Sequence, residues 1–559
     1  MKNRRFPKKT KGKNKTEPKR ELTNQNDFYE QGTFEEEQAE RWLLSDVKKS
    51  LRYYVEAFKM YELGLSCMKE STERTIYNIS YNESRLLLQI YTDYLANDGY
   101  INILQYIKLD DIPNVNEILK TLPTIVNNLE NVYNKFINNA KIDTWDLQYN
   151  LLTSYLSLLE SNETYQLSSG EIIQICNKFV EMSQLLIKRQ INELENWLNF
   201  IPQEKKDQND INLTKDTLNE NSSSNNNVNK DGSGIILNPE NNKPHEEEIM
   251  EVSDQITVET LSEVLLNSYK FIEVILEIII QNKMIITDVS KVETLNVVQI
   301  NYLCDLVDKL YAQIEDIIIT ELHGINLDLK DINVTKFSIE GDKKILQGDL
   351  DEFLKFEEID ITDPNWDISL AYQMIKIDAL ELSIDCFTNQ DSMMEWELAG
   401  LLSKKLSIVS RLLSAKRSNI LSNGKFDQLQ MDQLSEIVFK LCNIYIINSD
   451  NELRRYMIKS TDNDATKLIK ILMKNAKTLL SNGQTISKQS CGMQETIVDK
   501  LKRNYIYNQA TTRLQMIERY EQERSGTTTD SPITHTDLES LDVTIQDLLR
   551  DHPFYSGLL

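Results

Sequence analysis

Glycine and proline are scarce in this chain, and their scarcity limits the folds that it can adopt. The 559 residues include 16 glycines and 10 prolines, under 5% of the chain together, against about 12% in average proteins. Sandwiches and barrels need many tight turns, which depend on the positive φ of glycine or the fixed φ of proline. Leucine, isoleucine, asparagine, lysine, glutamate and tyrosine dominate instead. The chain is therefore expected to be all-α.

One helix is predicted with particular clarity over residues 46–65. Its apolar residues recur at i, i+3, i+4, i+7, i+10 and i+14, which places them on one helical stripe. They are Leu51, Tyr54, Val55, Phe58, Tyr61 and Leu65. Ser50 and Ala57 lie at the edge of this stripe and are small enough for a neighbouring helix to come close. Trp42 is expected on a preceding short helix, Glu35–Leu44.

This pair of helices resembles a tetratricopeptide (TPR) repeat, well over residues 42–65 and weakly beyond them. Long-looped TPR-like proteins with lysine-rich beginnings resemble fungal ones. The resemblance implies antiparallel helical hairpins that stack into a solenoid and hold a partner. On the concave side it places six candidate partner-binding residues: Tyr77, Asn78, Tyr81, Arg85, Tyr149 and Asn150.

Some TPR domains bind acidic chaperone tails through a basic carboxylate clamp. Asn78 or Asn82, with Arg85 nearby, matches the second helix of that clamp. The first predicted helix, Glu35–Leu44, is acidic, and the third carries no lysine or arginine. An acidic peptide is therefore not the expected partner.

Composition divides the chain into two helical lobes with polar segments around them. We expect a basic, disordered tail over 1–33 and an N-terminal TPR-like lobe over 34–201. A disordered linker rich in asparagine, serine and acids follows over 202–253. The C-terminal helical lobe covers 254–524, with a loop within 324–364. A mostly disordered tail is expected over 525–559.

Charge is distributed unevenly along the chain. The net charge is −25, but residues 1–20 carry +9, which leaves −34 for the rest. The basic cluster predicts a nuclear import signal, and a solvated tail is the alternative. The import residues are Lys2, Arg4, Arg5, Lys8, Lys9, Lys11, Lys13, Lys15, Lys19 and Arg20.

The acidic body favours a basic partner, because opposite charges speed capture and select against other partners. Its acidic clusters are Glu35–Glu37, Asp110–Asp111, Glu246–Glu248, Asp349–Glu352 and Glu357–Asp360. We therefore predict an adaptor or assembly chaperone for a basic client, such as a ribosomal protein or another nucleic-acid-binding protein. A scaffold subunit of a stable complex is the first alternative, and plain solvation of the acidic surface also explains any single cluster.

A second alternative is contact with RNA through the last long helix. Basic residues gather there with two tyrosines among them, and this mixture suits binding to nucleic acid. These residues are Lys488, Lys500, Lys502, Arg503, Arg513 and Arg519, with Tyr505 and Tyr507. Packing of a terminal helix explains them equally well, and nucleic acid is not expected on the acidic body.

No sequence motif points to catalysis. G-x-G-x-x-G, G-x-x-x-x-G-K-[ST], G-x-S-x-G and H-E-x-x-H are all missing from the sequence. The four histidines, His245, His323, His535 and His552, are isolated and are interpreted as surface residues. We therefore assign no catalytic, cofactor-binding or metal-binding residue and expect a non-enzymatic protein.

The cysteines and the most apolar segment indicate a nuclear or cytoplasmic protein. Six cysteines without a C-x-x-C pair suggest buried free thiols in a reducing compartment. The most apolar segment, Phe271–Ile286, carries Glu273, Glu277 and Gln281 at four-residue spacing, which predicts one polar stripe on a core helix. Neither secretion nor insertion into a membrane is expected.

Overall fold

The structure is a computed structural model, and it contains only helices as regular elements among the residues that it describes. These residues are 22–96, 102–136, 142, 145–200, 256–285, 295–322, 325, 327–359, 361, 363–387, 391–422, 428–460, 466–489, 495–525, 549–550 and 552–558. The all-α prediction is therefore confirmed. The chain divides into two compact units, residues 1–143 and 144–559, and each unit is described by itself.

The described residues of the first unit form four α-helices. They are α1 (Gln25–Glu40), α2 (Val47–Ser66), α3 (Glu73–Ile90) and α4 (Leu122–Phe136). A π-helical turn, Tyr91–Leu95, continues α3, and two short 3₁₀ turns, Ile103–Tyr106 and Val115–Glu117, precede α4. Helix α2 packs against α1 and α3, and α3 packs against α4.

The apolar stripe of α2 forms the centre of this unit, as its spacing predicts. Five of its six residues are buried, and Leu65 is half-buried. Ser50 and Ala57 are fully buried, and the hydroxyl of Tyr94 donates a hydrogen bond to Ser50 Oγ across 3.0 Å. The two small residues therefore lie in the core, where neighbouring helices come close.

Helix α1 begins inside the segment predicted to be a disordered tail, which extends to residue 33. Asn24 forms a capping box with Asp27, which satisfies backbone N–H groups at the start of the helix. Gln25 is buried, and its Nε2 donates to the carbonyl oxygen of Gly64 across 3.0 Å. The expected tail is therefore too long at its C-terminal end, whereas residues 1–21 lie outside the described residues.

The second unit contains twelve helices among its described residues, and most of them pack against their neighbours in sequence. They are α5 (Trp145–Glu160), α6 (Asn162–Tyr165), α7 (Ser169–Phe200), α8 (Val258–Ile285), α9 (Val297–Thr320), α10 (Lys330–Gln347), α11 (Leu350–Glu358), α12 (Trp366–Phe387), α13 (Ser392–Ser422), α14 (Gln428–Lys459), α15 (Thr466–Ser487) and α16 (Ile497–Ser525).

Packing within the second unit places α5 and α7 with the later helices. Both contact α8, and the rings of Phe179 on α7 and Phe271 on α8 stack with their centroids 4.1 Å apart. The sequence places a lobe boundary within 202–253, but the division into compact units falls between residues 143 and 144. The linker itself lies outside the described residues.

Helices α10 and α11 occupy most of the segment in which a loop is expected. The acidic surface of this segment hides an apolar face, since Phe337, Phe353 and Phe356 are buried and Phe337 stacks on Phe356. Gly348 adopts φ +74°, a backbone conformation that favours glycine and ends α10. Asp349 then accepts a hydrogen bond from the Glu352 backbone N–H across 3.1 Å and caps α11.

The last described residues also differ from the expected tail. Leu549, Phe554 and Tyr555 are buried, and the ring of Phe554 lies 5.0 Å from that of Tyr520 on α16. Residues 552–558 form turns that pack on α14 and α16. These residues are therefore ordered within the segment that is expected to be mostly disordered, whereas residues 526–548 lie outside the described residues.

Candidate functional site

Five acidic residues of the second unit lie on four helices that pack together. Glu160 ends α5, Glu273 and Glu277 lie on α8, Asp342 lies on α10, and Asp378 lies on α12. Helices α8, α10 and α12 contact one another, and α5 contacts α8. We call these five residues the acidic row.

The members of the acidic row are close enough to act on one another electrostatically. Burial, followed by the charge of Glu273, raises the pKa of Glu277 to about 7 and that of Asp378 to about 6. Burial also raises the pKa of Glu273, and Glu160 adds to this shift. Like charges and lost hydration both disfavour the ionised form.

The acidic row lies in a recess of the surface. The side chains of Glu277 and Asp378 are exposed to solvent, yet loss of hydration is the main cause of their raised pKa values. A carboxylate that water reaches but that protein largely surrounds lies in a concave surface. Such a recess strengthens attraction to a cation, because its low-dielectric walls focus the field of the carboxylates even where water is present.

Asp342 is the innermost member of the acidic row. Its side chain is 4% exposed, and its Oδ2 has no hydrogen-bond partner among the described residues. Burial and the charges of Glu277 and Glu273 raise its pKa well above the usual range. A buried acceptor without a donor is costly, and uptake of a proton by this carboxyl would lower that cost.

The sequence finds only part of this acidic surface. In the cluster Glu35–Glu37, Glu36 is 4% exposed and binds Arg85 and Tyr61 inside the first unit. In the cluster Glu357–Asp360, Glu357 is buried and lies 3.4 Å from Lys405. These two carboxylates lie in the interior and are not available to a client.

Other predicted clusters have their own outcomes. Asp111 lies 3.4 Å from Lys48 in an exposed ion pair, and Glu352 pairs with Lys344 and Lys355. Residues 246–248 lie outside the described residues. In the sequence, Glu273 and Glu277 indicate only a polar stripe on one helix. Helix packing is needed to bring Asp342 and Asp378 beside them.

Four of the predicted partner-binding residues lie on α3 and engage in internal contacts. Tyr77 is 2% exposed, stacks on Tyr81 with centroids 5.8 Å apart, and meets Phe136 edge-to-face. Arg85 binds Glu36 and donates to Asn82 across 3.1 Å. Tyr77 and Arg85 are therefore structural residues of the first unit.

Asparagine side chains of α3 also bond within the helix. Asn82 Nδ2 donates to the carbonyl oxygen of Asn78 across 2.8 Å. Together with the engagement of Arg85, this arrangement leaves no carboxylate clamp at these positions.

The two remaining candidates lie on α5 in the second unit. The hydroxyl of Tyr149 donates to Glu263 Oε2 on α8 across 3.1 Å, and its ring meets that of Trp145 edge-to-face. Asn150 is half-buried, and its backbone carbonyl accepts a hydrogen bond from Thr153. The bond between Tyr149 and Glu263 joins α5 to α8 near the beginning of α5, at the opposite end from Glu160.

The basic residues of the last long helix are partly internal, which weakens the RNA alternative. Arg503 is 8% exposed and binds Glu495, and Arg513 is 7% exposed and lies 3.0 Å from Asp450. Both guanidinium groups neutralise carboxylates inside the second unit. Neither can neutralise a phosphate without first losing its partner.

A cavity of about 820 Å³ lies among α14, α15 and α16. Its charged lining is mainly basic, opposite in sign to the acidic row. Lys470, Lys474 and Lys477 line it on α15, and Arg524 lines it on α16. Lys477 is paired with Glu521 across 2.8 Å. The surface of the second unit therefore carries basic as well as acidic recesses.

The interpretation of the histidines as isolated surface residues is wrong for His552. His552 is half-buried, and its Nε2 lies 3.0 Å from the carbonyl oxygen of Asp450, while its Nδ1 accepts from the Phe554 backbone N–H. Burial lowers its pKa, which favours the neutral ring. His245, His323 and His535 lie outside the described residues, as do the ten import residues.

The described part of the chain contains no group of three or more histidine, cysteine, aspartate or glutamate side chains placed to hold a metal ion. Its five described cysteines are free, and Cys176 and Cys442 are buried. None of the described helices combines the length and the apolarity that a membrane span requires.

The fold and the acidic row define an all-α protein with a recessed acidic surface in its second unit. The chain belongs to the YNL193W-like family. It is 42% identical over 566 residues to the uncharacterized protein YNL193W of Saccharomyces cerevisiae, with 97% of each chain covered. No solved structure matches the chain.

Two family domains match within the second unit. The YNL193W-like protein middle domain matches residues 163–347, and the YNL193W C-terminal domain matches residues 365–559. Glu273, Glu277 and Asp342 fall in the first match, and Asp378 falls in the second. The acidic row therefore extends across both domains.

Proposed function

We propose that this protein is a non-enzymatic adaptor or assembly chaperone that holds a basic client on the acidic row. The observation that carries the proposal is the placement of the exposed Glu277 and Asp378 on contacting helices, together with the buried Asp342, whose Oδ2 has no partner among the described residues. Like carboxylates in a recess repel one another, and a cationic chain would relieve that repulsion as it binds. Carboxylates on a fully solvated surface repel one another less, so a bound cation would relieve less repulsion there.

The proposed architecture is a stack of TPR-like helical hairpins. Consecutive contacts of α12 with α13, α13 with α14, α14 with α15 and α15 with α16 support it, because each pair covers an apolar face that one hairpin alone would expose. In such a stack one helix of each pair contributes to a shared surface. Glu277 on α8 and Asp378 on α12 would then line a continuous binding surface.

A stable scaffold held by apolar contacts is the competing function. Salt separates the two functions, since ions screen exposed charges within about 10 Å at about 0.1 M salt and much more closely at higher concentrations. A client held on the acidic row is expected to dissociate as salt rises. A partner held by apolar surfaces is expected to remain.

Affinity purification of the full chain from cell extract, at about 0.1 M and about 0.5 M salt, tests the proposal. The row variant, Glu277→Gln with Asp378→Asn, removes two recessed charges. The matched variant, Asp305→Asn with Glu397→Gln, removes two exposed charges from α9 and α13. A third bait without residues 1–20 tests whether the basic tail competes with the client.

We expect basic proteins to be enriched with the wild type and with the matched variant at low salt only, and to be lost with the row variant. The proposal fails if basic proteins are not enriched by the wild type. It also fails if the co-purified proteins resist high salt, which is the outcome that a scaffold predicts.

A further inference from the structure

A cavity of about 280 Å³ lies beside the acidic row, between α12, α13, α14 and the C-terminal turns. Ile384, Leu402 and Ile447 give it apolar walls. Its polar lining includes Glu381 and Asp385 on α12, Asp450, Asn451 and Arg454 on α14, and His552 from the C-terminal turns. Apolar walls and acidic groups thus surround one small space.

Two hydrogen-bond acceptors in this cavity remain uncommitted. Asn451 is 5% exposed and its Nδ2 donates to the carbonyl oxygen of Ala399 across 2.8 Å, but its Oδ1 has no partner among the described residues. Glu381 makes neither a hydrogen bond nor an ion pair within the described part of the chain. It lies one helical turn beyond Asp378 of the acidic row.

The other charged groups around Glu381 already have partners. Asp385 binds Arg454 across 2.9 Å. Asp450 binds Arg513 and the hydroxyl of Tyr555, and Nε2 of His552 lies 3.0 Å from the Asp450 carbonyl oxygen. A new ligand would therefore meet Glu381 and Asn451 as its available acceptors.

We infer that this cavity binds one lysine or arginine side chain of the client. The long aliphatic stem of such a side chain suits the apolar walls, and its charged head supplies only donors. Glu381 and the Asn451 Oδ1 would accept from that head. An anion would meet the carboxylates of Asp385 and Asp450, and Arg454 is already held by Asp385.

This inference rests on the proposed function, since it identifies the client group that the acidic surface recognises. It adds a specific anchor to a general attraction. The acidic row would attract a basic chain from a distance, whereas the cavity would fix the position of one side chain. Removal of the anchor is therefore expected to weaken binding without changing the overall charge preference.

Binding at Glu381 is also expected to depend on pH. Burial, followed by the charge of Asp378, raises the pKa of Glu381 to about 8; Arg454 opposes this shift, and Asp450 and Asp385 add to it. The pKa of His552 is lowered, so its ring stays neutral in this range. A cation that binds Glu381 at pH 7 would displace its proton to solvent, so affinity should rise from pH 7 to pH 8.5.

The test uses the full chain and a fluorescently labelled octalysine peptide, with affinities from calorimetry and anisotropy. Glu381→Gln keeps the shape and removes the carboxyl group that would ionise when the cation binds, and Glu397→Gln on α13 is the exposed control. We expect Glu381→Gln to weaken octalysine binding about tenfold. It should also reduce the release of protons on binding and the pH dependence of the affinity. Glu397→Gln should change affinity less than about twofold, as for a screened surface charge.

Fully acetylated octalysine keeps the stem and loses the charge, and it should not bind. The inference is overturned if the wild type binds octalysine and Glu381→Gln behaves like Glu397→Gln, in which case the proposed function still stands. If the wild type does not bind octalysine at all, the proposed function is overturned together with the inference. Thermal melts confirm that both variants are folded.

Discussion

The hydroxyl of Tyr555 donates a hydrogen bond to Oδ1 of Asp450 across 3.0 Å. The two residues are far apart in sequence, and the bond fixes the end of the chain to the middle of α14. Arg513 on α16 binds both oxygens of the same carboxylate. Asp450 thus connects α14, α16 and the C-terminal turns through one buried charge network.

Replacement of Asp450 is expected to destabilise the second unit strongly. Asp450→Asn leaves the 7% exposed Arg513 without a counter-charge, which should lower the free energy of unfolding by about 2–4 kcal/mol. Tyr555→Phe removes one hydrogen bond and should cost about 1 kcal/mol. Urea unfolding followed by circular dichroism measures both. Equal effects of the two variants would contradict the assigned role of Arg513.

Replacement of Arg85 is expected to affect stability and not merely binding. Arg85→Met leaves the buried Glu36 without its guanidinium partner and should cost about 2–4 kcal/mol in the first unit. Arg41→Met is the matched control, because Arg41 pairs with Glu37 on an exposed surface across 3.9 Å and should cost less than about 1 kcal/mol. Thermal melts compare the two. If Arg85→Met is as stable as the control, Arg85 returns to the candidate binding residues.

Helical periodicity made the centre of the first unit predictable from the sequence. The spacing of Leu51, Tyr54 and Phe58 located α2 and its buried face, because one apolar stripe is a local property. Composition misled where a polar surface hides an apolar face, as at Phe353 and Phe356 in α11. It also misled at Phe554 and Tyr555, whose partners lie on helices distant in sequence.

The candidate site could be predicted only in outline. Acidic clusters in sequence drew attention to Glu36 and Glu357, which packing places inside the protein. The acidic row instead combines carboxylates from α5, α8, α10 and α12, and no local pattern joins Glu277 to Asp378. The sequence shows which segments are acidic, whereas tertiary packing decides which of these charges lie on the same surface.

The acidic row is expected to make stability fall as pH rises. Glu277 and Asp378 have raised pKa values in the folded state, so the folded state binds more protons than the unfolded state between about pH 4 and pH 7. Their destabilising contribution grows across that window and is complete above it. Because both side chains are exposed, solvent screening should limit the total to about 1 kcal/mol.

The row variant, Glu277→Gln with Asp378→Asn, should therefore gain stability relative to the wild type between pH 5 and pH 8. A Tm difference that grows by about 2 °C over that range is expected for a unit of this size. Asp305→Asn with Glu397→Gln should show a flatter difference. A row variant that loses stability relative to the wild type as pH rises would contradict the recessed position of the two carboxylates.

The basic segment at the start of the chain predicts nuclear import. Residues 1–20, with ten lysines and arginines, are expected to concentrate a fused fluorescent protein in the nucleus. A fusion in which Lys8, Lys9, Lys11 and Lys13 are replaced by glutamine should lose this accumulation. Microscopy of both fusions provides the measurement. Equal distribution of the two fusions would indicate that the segment is not an import signal.

The most direct test of the central claim is the affinity of the full chain for labelled octalysine at about 0.1 M salt. The account predicts that Glu277→Gln with Asp378→Asn weakens binding at least tenfold, while Asp305→Asn with Glu397→Gln, which removes the same charge from exposed positions, weakens it less than about threefold. Equal weakening by the two variants would mean that net charge alone attracts the peptide, and it would contradict the acidic row as the binding site.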